Sequence, residues 1–224
     1  MNLTFNRASE TENEINVVVN HLIIAGWTGR DEAAVLHHIH ELEALGVPRP
    51  GAVPLFYRVT ANQLSQHAQL EVVGEATSGE AEPLIFAHQG KLWLSLASDH
   101  TDREFEAVSV AMSKQLCIKP VAHTAWPLDS VIARWDSLIL RSWIKEQGEW
   151  QLYQQGTLAA MRTPQDLMDR YGTAFRDGMA MTCGTLAAIG GIRPAAEFRM
   201  ELVDEEGGRT IAHQYHTHAL PVVA

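Results

Sequence analysis

The chain has few cysteines, no basic cluster and no long apolar run, and each shortage excludes a class of protein. Its two cysteines, Cys117 and Cys183, sit far apart without metal-binding spacing. Neither a disulfide framework nor a cysteine zinc site is expected, and both read as reduced thiols of a cytoplasmic protein. A formal net charge of -10 and the lack of a basic stripe exclude nucleic acid as an expected partner. The apolar stretch Ile15 to Trp27 is broken by Asn20 and His21 and falls short of the roughly 20 residues that span a bilayer. Met1 to Glu14, with one arginine, no lysine and three acidic residues, fits neither a secretory signal nor a transit peptide. Repeats, low-complexity runs and charge blocks are missing too. Gly184, Gly190 and Gly191 lack the Lys-Ser/Thr that completes a phosphate loop.

What is present is 224 residues, 46% of them hydrophobic and 20% charged, enough for an acidic globular protein with a sizeable core. Ile15 to Trp27 is rich in β-branched residues and predicts strand. Thr28 to Asp31 then introduces a helix whose apolar stripe is Val35, Leu36, Ile39, Leu42 and Leu45, ended by Gly46. The proline-rich Val47 to Pro54 reads as a connector, so residues 1–52 are expected as a strand and helix extension and 53–224 as the main domain. Hairpin patterns at 80–99, 138–153 and 198–218 are interspersed with helical segments at 102–116 and from Thr163-Pro164 onward, which makes the fold α+β.

The first hairpin carries the chemistry. Taking Gln89-Gly90 as a two-residue loop pairs His88 with Lys91, Glu82 with Ala97 and Glu80 with Asp99. Cross-strand partners and residues two apart share a face, so Glu80, Glu82 and Asp99 point the same way, with Ala97 leaving space beside them. Three carboxylates so close repel unless a cation or basic residues neutralise them, and an all-oxygen set suits magnesium, manganese or calcium. The other reading of the same residues is a solvated hairpin face, with Asp99 capping the next helix. Pro83, which prefers an edge strand or a bulge, also leaves room for a one-residue slip.

Four segments resemble the fumarylacetoacetate hydrolase (FAH)-like superfamily. Glu80-Ala81-Glu82 is similar to its Glu-x-Glu metal strand, and Ser98-Asp99-His100-Thr101-Asp102-Arg103 to its Asn-Asp-Val-Ser-Ala-Arg segment. Ser113-Lys114, followed by Trp126-Pro127-Leu128, resembles its Lys-Ser-Phe-Asp stretch before a Gly-Pro turn. Cys183-Gly184-Thr185 to Gly191 is similar to its Thr-Gly-Thr-Pro-x-Gly-Val-Gly loop, with Leu186 at the proline. The likeness covers Val53 to Leu220 and is nearest to a bacterial branch of unassigned function.

This resemblance implies a mixed β-sandwich roll with short peripheral helices and a homodimer. It also implies Mg²⁺ or Mn²⁺, with Ca²⁺ as a further candidate, on Glu80, Glu82 and Asp99. The implied activity is hydrolytic carbon–carbon cleavage of a small 2-oxo or diketo acid through a metal-stabilised enolate. Decarboxylase, hydratase or isomerase activity are rivals on the same site. Arg103, Lys114, Gln155, Gly184 and Thr185 are the implied substrate contacts, and Lys114 also a catalytic group. The candidate bases are His67, with Glu71 four residues on, and His100 beside Asp99. Without such a base, a non-catalytic ligand-binding protein keeps the same fold. The histidines at 37, 38 and 40 suit a solvated helix face; His213, His216 and His218 alternate through a terminal strand. The tryptophans from Trp126 to Trp150 suit core or interface.

Overall fold

The computed structural model describes residues 1–7, 14–44 and 49–223. Strands β1 (Asn2–Arg7), β2 (Glu14–Val18) and β3 (His21–Gly26) lead through helix α1 (Glu32–Ala44) to β4 (Leu55–Val59). The short β5 (Leu64–Ser65), β6 (Gln69–Val73) and β7 (Thr77–Ser78) precede the hairpin of β8 (Ala81–His88) and β9 (Lys91–Ser98). Next come β10 (Thr101–Asp102), α2 (Arg103–Glu106), α3 (Val110–Leu116), β11 (Lys119–Pro120) and β12 (Thr124–Pro127). A second hairpin, β13 (Ile139–Glu146) and β14 (Glu149–Thr157), is followed by α4 (Pro164–Tyr171), β15 (Met179–Thr182) and a closing hairpin, β16 (Glu197–Asp204) and β17 (Arg209–Leu220).

An eight-stranded mixed sheet in the order β2-β1-β12-β9-β8-β15-β3-β4 packs against a five-stranded sheet, β14-β13-β16-β17-β6. Strands β1, β2 and β3 thus belong to the main sheet, β1 running parallel to β12 and β3 parallel to β15. The β8-β9 hairpin sits at the centre of this sheet and is buried on both faces. Ile85, Leu94 and Leu96 enter the core between the sheets, while Leu84, Phe86 and Ala97 enter a second core with Phe5, Ile24 and Val121. Two-stranded ribbons, β7 with β10 and β5 with β11, close over one end of the hairpin.

Local chemistry explains two of the three hairpins and the last helix. Gln89 and Gly90 both have positive φ, 52° and 69°, the twist that a two-residue turn needs to join antiparallel strands, and Gln147 and Gly148 repeat it at 51° and 87°. Thr163 caps α4 by accepting from the Asp166 amide, with Pro164 in the first turn. The helix expected over 102–116 is instead two. Asp102 caps the first and Ser109, at φ -159°, caps the second, so the chain restarts a helix instead of continuing one. The apolar residues at helical spacing, Phe105, Val108 and Met112, are 38%, 75% and 52% exposed. Trp126 and Trp135 are buried within the chain, leaving Trp143 and Trp150 half-buried on the second hairpin. The helix stop expected at Gly46 and the side chains of His38, Glu41, Leu42 and Leu45 lie outside the described residues. Among the described residues no helix is long and apolar enough to cross a membrane.

Candidate metal centre

The hairpin register is the one its turn dictates: Glu82 lies opposite Ala97, and the Asp99 amide donates to the Glu80 carbonyl at 2.9 Å. One carboxylate oxygen from each of Glu80, Glu82 and Asp99 falls within 4.8 Å of the others, the one such cluster among the described residues. Burial rules out the solvated reading. Glu82 is 3% and Asp99 0% exposed, and the helix cap expected of Asp99 belongs to Asp102.

Each carboxylate has a different environment. Burial, then the neighbouring Asp99 charge, push the Glu82 carboxyl up to about 8. Its Oε2 accepts the Gly184 amide at 2.9 Å. Glu80 faces Arg103 at 3.5 Å, and Arg103 also binds Glu106 at 2.9 Å and Ser78 Oγ at 2.6 Å. Burial acts to raise the Asp99 carboxyl, but Lys114 and Lys119 outweigh it and hold the group well below the usual carboxylate range. Lys114 Nζ donates to Asp99 Oδ2. Burial opposes its charge, yet Asp99 and Glu80 raise its pKa. Lys119 was not singled out from the sequence. It is fully buried, donates to the His100 carbonyl and stands 2.9 Å from Asp99 Oδ1 without hydrogen-bond alignment. Burial lowers its pKa more than Asp99 raises it.

The donor set fits a hard divalent cation. It is all oxygen, Asp99 Oδ1 is buried without a hydrogen bond, and Glu82 is pressed toward its neutral form by burial and then by the charge beside it. A cation there would satisfy both.

The remaining expected residues divide. Arg103, Lys114 and Gly184 are brought to the triad. His100 is beside it in sequence but turns inward: Nδ1 and Nε2 lie 2.9 Å from Tyr215 Oη and Thr77 Oγ1, and burial, then Lys119, lower its pKa to about 3. His67 is not brought to the triad; it lines a separate cavity of about 540 Å³ with Met1, Thr4, Gln66, His123 and His213. Thr185 donates to the Ala81 carbonyl and accepts from Gln154, so its hydroxyl braces the strand that carries Glu82. Gln155 is exposed. Its neighbour Gln154 is buried instead and links Ala81, Ser142, Thr185 and Leu186. A bulge causes the exchange: Trp143 pairs with Leu152 but Ser142 with Gln154, so Tyr153 is the extra residue and the alternation counted from the turn slips by one.

The fold is that of FAH-like proteins. A candidate fumarylacetoacetate isomerase/hydrolase from Oleispira antarctica superposes with a TM-score of 0.67 at 14% identity, over 96% of this chain and 99% of that one. A candidate fumarylpyruvate hydrolase from Burkholderia cenocepacia gives 0.63 at 16%, over 99% and 96%. A 2-keto-3-deoxy-D-arabinonate dehydratase complexed with magnesium and 2,5-dioxopentanoate gives 0.63 at 14%, over 95% and 79%. No curated protein matches the chain. In sequence, residues 25–215 match the family model described as protein of unknown function (DUF2848), and the chain belongs to that family.

Proposed function

We propose that the protein is a divalent-metal-dependent enzyme acting on a small 2-oxo or diketo acid, with Mg²⁺ or Mn²⁺ held by Glu80, Glu82 and Asp99. The observation that carries this reading is the buried oxygen triad, centred on a hairpin whose two-sided burial holds it rigid. The magnesium and oxo-acid ligand of the dehydratase with this fold support it. When bound, the cation supplies Lewis acidity toward an oxo-acid oxygen.

The chain's own residues supply positive charge and alignment. Lys114 and Lys119 contact the two different oxygens of Asp99, and Lys114 offers its ammonium group to negative charge developing on the substrate. Arg103, 10% exposed, extends the positive edge next to Glu80. The Gly184 amide and the Thr185 hydroxyl hold Glu82 and Ala81, and through them the triad's spacing.

Hydrolytic carbon–carbon cleavage needs a group that takes a proton from water. His100 has both ring nitrogens engaged and His67 lines another cavity, which favours the rival reading, a lyase-type reaction such as decarboxylation that needs no activated water. Turnover of acylpyruvates and oxaloacetate in Mg²⁺ or Mn²⁺ separates the two. Acylpyruvate cleavage supports hydrolysis, oxaloacetate decarboxylation supports the rival, and no turnover by metal-loaded protein leaves only ligand binding. A cytoplasmic homodimer completes the proposal, with Trp143 and Trp150 on the second hairpin as interface residues; light scattering that gives a monomer would refute the dimer.

A further inference from the structure

Asp99 has two cationic neighbours, although a carboxylate that binds a divalent ion needs none. Lys114 Nζ donates to Oδ2 and Lys119 Nζ stands 2.9 Å from Oδ1. Arg103 is shared between Glu106, at 2.9 Å, and Glu80, at 3.5 Å, so the two lysines on Asp99 are the cations nearest the triad. With all three carboxylates ionised, as metal binding requires, they and the two ammonium groups sum to one negative charge, which a divalent cation would turn into one positive charge in a buried site. A cation alone therefore enters against the lysines, whereas a cation with an anionic ligand does not.

Anchoring decides which lysine yields. Lys119 is fully buried, carried by β11 in its pairing with β5, and tied to the His100 carbonyl as well as to Asp99. Lys114 projects from the last turn of a seven-residue helix, α3, and its hydrogen bond goes to Asp99. The Tyr57 ring lies 5.7 Å from its Nζ, so an ammonium leaving Asp99 keeps a cation–π neighbour.

We infer that Lys114 is a built-in counter-ion of the acidic triad, which a divalent cation displaces from Asp99 when a chelating anion arrives with it. This rests on the metal-centre reading and deepens it. Cation and ligand bind cooperatively, each strengthening the other by the same factor. The ligand class is a small dianion with adjacent oxygens, because one of its oxygens takes the partner place that Asp99 Oδ2 gives up. The short, one-turn-deep hold of Lys114 makes it a switch between a charge-compensated resting site and a loaded one.

The test is a Mn²⁺ titration of the full chain, read by electron paramagnetic resonance and calorimetry, with and without oxalate, on wild type and Lys114→Met. Wild type is expected to bind Mn²⁺ weakly alone and roughly tenfold or more tightly with oxalate. Lys114→Met is expected to bind Mn²⁺ alone roughly tenfold more tightly than wild type and to gain less from oxalate. A folded variant with equal or weaker Mn²⁺ affinity, or with an undiminished oxalate effect, overturns the inference while leaving the metal centre standing. Failure of both proteins to bind Mn²⁺ overturns the metal centre and the inference together. Wild type alone gives a second readout: Mg²⁺ with oxalate must shift the ¹⁵Nζ resonance of Lys114, and an unmoved signal refutes the displacement.

Discussion

The Gly184 amide donates to Glu82 Oε2 at 2.9 Å, which ties the glycine-rich loop after β15 to the acidic hairpin. Gly184 holds φ at 89°, and a Cβ there would meet Thr28 Oγ1 at 1.7 Å. Gly184→Ala is therefore strained and overpacked at once, and should lose roughly 2 to 5 kcal/mol of stability. Urea unfolding checks this; a midpoint like wild type would mean that the loop yields freely.

Glu82→Gln keeps the shape of the side chain and an acceptor for the Gly184 amide but removes one of the three charges. Metal-free protein should melt at or above the wild-type temperature, since a buried charge beside Asp99 is gone. Stabilisation of wild type by saturating Mn²⁺, about 2.7 kcal/mol at a hundred times the dissociation constant, should vanish. An intact Mn²⁺ shift in the variant would remove Glu82 from the centre.

Gln154 and Gln155 offer a paired test of the bulge. Gln154→Ala strips partners from the buried Ala81 amide and Ser142 hydroxyl and should destabilise by roughly 2 to 4 kcal/mol. Gln155→Ala, on the exposed side, should stay within about 0.5 kcal/mol of wild type. Equal effects would contradict the register.

His213 is 9% exposed, and burial, then His123, lower its pKa from 6.5 to about 4. The unfolded chain binds the extra proton between those values, so the stability it confers is complete above about pH 6.5 and is lost as pH falls toward 4. The loss is about 3 kcal/mol at most. Denaturation midpoints measured from pH 7 to pH 4 should fall less steeply in His213→Phe, and parallel curves would assign the acid sensitivity elsewhere.

Turn chemistry made much of this fold legible. Gln89-Gly90 and Gln147-Gly148 set their hairpins because two successive positive φ values match strand twist, and the first of these turns aligned Glu80, Glu82 and Asp99. Thr163-Pro164 marked α4 for an equally local reason. Periodicity predicts one helix over 102–116 from the spacing of Phe105, Val108 and Met112, and the chain instead makes two short ones with these side chains exposed.

The sequence by itself determined the acidic triad, because a register counted from a two-residue turn depends only on near neighbours. Tertiary structure alone decided what surrounds it. Lys119 reaches Asp99 through the pairing of β11 with β5, Gln154 replaces Gln155 through a bulge set by its partner strand, and His100 turns toward Tyr215 on β17. These contacts join residues remote in the chain, and burial makes each neighbour's charge count.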